Sequence, residues 1–172
     1  SSSSLTGGLL HGLYALKGHM PSRHQLAGEG IAIEQEKIKE IVGSQDQVLA
    51  AHGGLNHVIF AQNGEITVRP VTVSAERMRE LNNHLMLFYT GIERTASNIA
   101  ETYVTDLETK KSQLRIMKHL VEEGIAILNK GNNINDFGAL LHEGWQVKRD
   151  LSAKVSNAHV DELYAHALAN GA

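Results

Sequence analysis

The stretch that most constrains the fold is "LNHVIFAQNGEITVRPVTV", Leu55 to Val73. Two runs rich in β-branched and aromatic residues flank an Asn63-Gly64 pair, a dipeptide that readily accepts the left-handed backbone of a hairpin turn. An antiparallel strand pair is therefore expected here. On either side the apolar spacing changes to three and four residues, the period of a helix. The order reads helix, helix, hairpin, strand, helix, helix, helix. That is an α+β chain with helices segregated from sheet, and it is short of strands for the helices it carries.

Leu5, Leu9, Leu10, Leu13, Tyr14 and Leu16 predict a helix over about 3–17, stopped by Gly18. Pro21-Ser22 open a second over about 22–42, with Leu26, Ile31, Ile38, Ile41 and Val42 on its stripe and Gly43 as its stop. "HLMLFYTG", His84 to Gly91, reads as a buried strand. Ile99, Tyr103, Leu107, Leu114, Met117, Val121, Ile125 and Leu128 predict a long helix over about 96–129. Another is expected over about 134–150, and a last one after Asn157. The polar, charged seam Ser74–Leu81 divides the chain into expected domains 1–76 and 77–172.

Composition removes several classes of function. The 172 residues suffice for one large domain or two small ones. A formal net charge of -3 offers no basic field for nucleic acid. There is no cysteine, hence no disulfide framework and no thiolate zinc site, which fits a cytoplasmic protein. No apolar run approaches the ~18 residues of a membrane span, and no signal peptide is visible. The nearest pairs among the ten histidines, His19/His24 and His52/His57, are five apart. Ligands sharing a helix face need three or four, so these histidines read as solvated or locally bonded.

Three stretches carry chemistry. In "SSSSLTGGLL" serines run into an apolar helix, supplying hydroxyls, free N–H groups and the positive end of a helix dipole to an anion. A plain N-cap, or a serine-rich expression scar, is the simpler reading. In "GIERTASNIAETY" Gly91 turns, Thr95 or Ser97 caps, and Arg94 sits at the helix mouth, where its fork suits a phosphate. An exposed Arg94 paired with Glu93 or Glu101 explains the stretch equally well. In "GSQDQVLAAHGG" Asp46 stands between Gln45 and Gln47. An N-cap accounts for the acid but not for the two amides. With Glu34 upstream, two carboxylates and a serine loop suit a magnesium–phosphate reaction.

"SSSSLTGGLLHGLYALKG", "GSQDQVLAAHGGLNHVIF", "LMLFYTGIERTAS", "LLHEGWQVKRDLSAKVSN" and "VDELYAHALANGA" together resemble the GHMP sugar and isoprenoid kinase superfamily. Within it they look most like the D-glycero-D-manno-heptose 7-phosphate kinase branch. The resemblance implies a partial GHMP-kinase fold. Residues 1–76 would be the end of a βαβ-containing N-terminal domain and 77–172 most of a ferredoxin-like C-terminal domain. The family's first and third motifs are absent, so about half of the expected chain is present, and such a piece is expected to be inactive and unstable alone.

The resemblance further implies ATP and Mg2+ as cofactors, and ATP and a sugar phosphate as partners. Ser1, Ser2, Ser3 and Ser4 would belong to the nucleotide loop, Ser2 and Glu34 would hold magnesium, and Asp46 would take or orient the proton of the substrate hydroxyl. Gln45, Arg94 and Thr95 are assigned to the substrate, Arg94 on physical grounds alone. The implied reaction is phosphoryl transfer to the anomeric hydroxyl of heptose 7-phosphate, giving the 1,7-bisphosphate. The alternatives are a kinase for a free sugar such as fucose or galactose, or a non-catalytic sugar- and nucleotide-binding piece.

Overall fold

The structure, a computed structural model, describes residues 2–92, 107–131 and 133–172. The chain separates into two compact units, Ser1–Val71 and Thr72–Ala172.

The first unit contains α1 (Ser2–Leu16), α2 (Arg23–Ala32), α3 (Gln45–His52) and a hairpin of β1 (Asn56–Phe60) and β2 (Ile66–Pro70). Ser22 caps α2, its side chain accepting from Gln25 N–H at 3.1 Å. Tyr14 of α1 donates to Glu29 of α2 at 2.6 Å, and Gln25 Nε2 donates to both, which ties the two helices together. The small core consists of Leu26 and Ala27 from α2 and Val48 from α3. The apolar stripe of α1 lies mostly outside it: Leu5, Leu9, Leu13 and Leu16 stand exposed.

The expected hairpin is present, in the antiparallel register Asn56↔Pro70, Val58↔Val68, Phe60↔Ile66. Its turn is longer than a two-residue one. Ala61 N–H bonds Glu65 O at 2.9 Å across Gln62, Asn63 and Gly64. Gly64 takes φ +85, and Asn63 accepts from Glu65 N–H at 3.0 Å. Three-residue hairpin loops place glycine at such a left-handed position.

The second unit contains α4 (Ala75–Asn83), α5 (Lys111–Asn129), α6 (Asn135–Arg149) and α7 (Ala158–Ala169). Ser74 caps α4 by accepting from Arg77 N–H at 3.0 Å, and Arg77 in turn donates to Ile127 O near the end of α5 at 2.8 Å. Helices α5 and α6 pack with Gly124 facing Phe137 and Leu140, and Gly144 facing Leu120. Tyr164 of α7 stacks on His142 of α6, and their hydroxyl and Nδ1 lie 2.6 Å apart. Asn157 caps α7 as expected. Among the described residues, no helix is long and apolar enough to cross a membrane.

Two expectations need correction. The second helix does not run to Val42: it passes into a π turn, Ile33–Lys37, and ends there. Residues His84–Gly91 are not a buried strand. Leu87 is 99% exposed and Tyr89 91%, and no described strand pairs with them. β-propensity favours a pleated surface only where a neighbour completes it. Of the long helix predicted over about 96–129, residues 96–106 lie outside the described residues, 107–110 form a turn, and the helix runs from Lys111 to Asn129.

Candidate active site

Glu34 is placed by a departure from α-helical geometry. After Ala32 the helix widens, and Ile38 N–H reaches back five residues to Ile33 O at 2.9 Å. Glu40 N–H then bonds Glu34 O at 2.9 Å, and Lys39 takes φ +62. Few side chains adopt that backbone, and π turns of this kind concentrate at functional sites. Glu34, inside the turn, is only 3% exposed.

A carboxylate so buried requires partners. Ser3 Oγ of α1 donates to Glu34 Oε2 at 3.2 Å. Gln47 Nε2 of α3 donates to the same oxygen at 2.5 Å. Both donors are themselves buried. Among the described residues, the other oxygen, Glu34 Oε1, is buried with no partner, and so is Gln47 Oε1. Among the described residues Glu34 forms no ion pair. Two buried acceptors without a protein donor leave room for a cation or a water.

Oxygen donors of this kind fit magnesium, which takes one or two protein carboxylates together with the phosphates of its substrate. Among the described residues there is no group of three or more His, Asp or Glu side chains, so an all-protein cage is not on offer. Glu34 and the Ser3 hydroxyl are the groups here that would hold the ion.

The loop after the π turn positions α3. Gln35, next to Glu34, donates to Val42 O at 2.9 Å and to Ser44 Oγ at 3.2 Å. Ser44 precedes the first residue of α3, so the start of that helix is fastened to the turn that bears Glu34. Val48, 1% exposed, anchors α3 in the core. At its far end Arg23 donates to His52 O at 2.8 Å, a cation at the negative end of the helix dipole.

Asp46 and Gln47 are neighbours in the first turn of α3, yet they face different surroundings because successive helical residues are rotated by about 100°. Gln47 is buried; Asp46 is exposed, and no described residue hydrogen-bonds to its carboxylate. Gln45 is exposed as well.

The structure thus brings Glu34 together with Ser3 rather than with Ser2, the serine expected beside magnesium; Ser2 and Ser4 are exposed. Ser1, Arg94 and Thr95 lie outside the described residues. Sequence reasoning missed the bond from Gln47. Gly30 is buried against the Gln47 side chain, where a Cβ would lie 3.7 Å from Gln47 Cβ.

No family model matches the sequence. The chain is similar to the D-glycero-alpha-D-manno-heptose 7-phosphate kinase of Campylobacter jejuni, with 31% identity over 152 residues, covering 87% of this chain and 44% of that protein. Its fold is similar to the crystal structure of a D-glycero-D-manno-heptose 1-phosphate kinase from Bacteroides thetaiotaomicron. There the TM-score is 0.70 at 23% identity, over 90% of this chain and 45% of the other. The chain therefore spans somewhat under half the length of the relatives it matches. Over that span the chain is similar in sequence to a heptose 7-phosphate kinase and has the fold of a heptose kinase, consistent with a piece of a GHMP-type heptose kinase.

Proposed function

We propose that the chain carries the proton-accepting acid and the cation-binding carboxylate of an ATP-dependent kinase. Its substrate is D-glycero-D-manno-heptose 7-phosphate, phosphorylated at the anomeric hydroxyl to the 1,7-bisphosphate. The observation that carries this reading is the buried Glu34 carboxylate with one oxygen left unpaired, joined through Gln47 to the helix turn that exposes Asp46. The 31% identical relative supports the 7-phosphate as substrate. On this reading residues 1–76 belong to the nucleotide-binding N-terminal domain, residues 77–172 to a ferredoxin-like domain, and the enzyme works where ATP is, in the cytoplasm.

The chemistry asked of the protein is modest. The anomeric oxygen attacks the γ-phosphorus, the bond from that phosphorus to the β,γ-bridging oxygen breaks, and ADP leaves. The hydroxyl proton passes to the Asp46 carboxylate. The transition state is loose, so positioning and charge neutralisation dominate, and Asp46 need not be a strong base. An exposed, unbonded carboxylate is free to accept that proton. Magnesium, when bound, neutralises the charge on the transferring phosphoryl oxygens. Glu34 and Ser3 would hold it, while Ser2 and Ser4 at the start of α1, with Ser1, would offer hydroxyls and N–H groups to the nucleotide phosphates. Arg94, with Thr95, binds the distal phosphate of the sugar, and Gln45 binds a sugar hydroxyl beside Asp46.

The test is a comparison of substrates in the full-length protein. Turnover with heptose 7-phosphate should exceed that with unphosphorylated heptose, fucose and galactose. Arg94→Ala should weaken the phosphorylated sugar by about 1.5–3 kcal/mol, the worth of a charge-assisted bond, and spare the unphosphorylated one. Equal losses for both sugars would remove the phosphate-reading role.

A further inference from the structure

Gln47 is unused by the chemistry just described, yet it is as deeply buried as Glu34 and bonded to it. We propose that Gln47 is a positioning residue. Its amide N–H group locks the Glu34 carboxylate so that Oε1 is held ready for the cation, and its own Oε1 would accept a hydrogen bond from a water held on that cation. This rests on the reading of Glu34 as a cation ligand.

Three observations support it. First, the donors on Glu34 are distributed unevenly. Oε2 receives both Ser3 and Gln47, from two different helices, so the carboxylate cannot turn without breaking both bonds; Oε1 receives none. A buried carboxylate kept for structure alone would have both oxygens satisfied, as buried polar groups generally are. One saturated oxygen and one bare oxygen is the pattern of a ligand held in place.

Second, Gln47 shows the same imbalance. Its Nε2 is bonded and its Oε1 is buried without a partner. Turning the amide over does not relieve this, because two acceptors would then meet at 2.5 Å. The buried Gln47 Oε1 is placed to accept a hydrogen bond, and a metal-bound water is a suitable donor.

Third, Gln47 follows Asp46 directly on α3. One rigid helix turn therefore carries both the acid that meets the sugar and the amide that orients the cation's carboxylate. Partners that orient a metal's ligands typically matter by 10- to 100-fold in affinity.

The experiment uses the full-length protein and Gln47→Met, which keeps the length of the side chain and removes the donor. Mn2+ alone is titrated and followed by loss of the free-ion electron paramagnetic resonance signal. The magnesium concentration for half-maximal turnover is measured at saturating ATP. The expected result is about a 10-fold weaker Mn2+ affinity and a comparable rise in the magnesium requirement, with the KM for sugar unchanged. In a Glu34→Gln background, Gln47→Met should add nothing further. Should Gln47→Met fail to fold, Gln47→Asn, whose amide is too short to reach Glu34, carries the same expectation. Wild-type Mn2+ affinity in a folded Gln47 variant overturns the proposal, and so does a lowered melting temperature with unchanged affinity. If Glu34→Gln is impaired and Gln47→Met is not, Gln47 alone has been misread. If Glu34→Gln also binds Mn2+ normally, the reading of Glu34 falls with it.

Discussion

Burying an ionised carboxylate costs several kcal/mol even after the protein relaxes around it, and Glu34 is met only by a hydroxyl and an amide. That imbalance, more than any motif, marks the site. The residue types were legible in the sequence: Glu34 and Asp46 stood out as carboxylates near a serine loop. Which serine meets Glu34 was not, because a shift of one residue at the start of a helix turns the side chain by about 100°. His52, at the other end of α3, offers a separate test of the local packing. Its Nε2 is buried without a partner, and burial depresses its pKa below 6.5, helped by the positive charges of Arg23 and His24. The folded state thus favours the neutral ring, while the unfolded chain takes up a proton as pH falls through 6.5. Stability from this group is complete above that value and is lost as pH falls through the lower, folded one. Urea midpoints measured between about pH 7 and 5 should fall less steeply for His52→Gln than for the parent. Identical slopes would mean that His52 is solvated in the fold.

The helices with apolar periods were found where the pattern put them, α6 to within a residue of both ends and α7 at its start after Asn157. The end of α2 was not legible, because Ile38 and Ile41 continue the helical spacing and nothing in five residues distinguishes a π turn from an α turn. Residues Leu85–Tyr89 misled for a different reason. They have the composition of a strand, but pairing is a property of two segments and composition belongs to one. The packing of α5 on α6 was hidden as well, since glycine leaves no mark in an apolar pattern. Gly124 gives a direct test. A Cβ there would lie 3.5 Å from Phe137 Cε2, ordinary contact, and the backbone φ is not left-handed. Gly124→Ala should therefore stabilise the second unit by about 0.5–1 kcal/mol, through the lower entropy of its unfolded chain. Urea denaturation checks this, and a loss of stability would show that the two helices are already in tighter contact.

The chain as a whole consists of two units with small cores and a run of exposed apolar side chains, Leu85, Met86, Leu87, Phe88 and Tyr89. A contiguous patch of that kind promotes association. Leu87→Lys should reduce self-association of the 172-residue chain, seen by sedimentation velocity, and leave its melting temperature unchanged, since Leu87 is 99% exposed. Unchanged sedimentation would place the sticky surface elsewhere, with the exposed leucines of α1 as the next candidates. The likeness to heptose kinases was readable from local stretches such as "GSQDQ", whereas the cluster of Ser3, Glu34 and Gln47 required three helical segments to be assembled in space. The most direct test of the central claim, that Asp46 serves phosphoryl transfer to an anomeric hydroxyl, is phosphorus NMR of the full-length protein with ATP and D-glycero-D-manno-heptose 7-phosphate. The account predicts a new phosphate signal coupled to the anomeric proton, and in Asp46→Asn a turnover lowered on the order of 10²-fold with the fold intact. A phosphate on any other hydroxyl, no transfer at all, or Asp46→Asn turning over at the parent rate would contradict it.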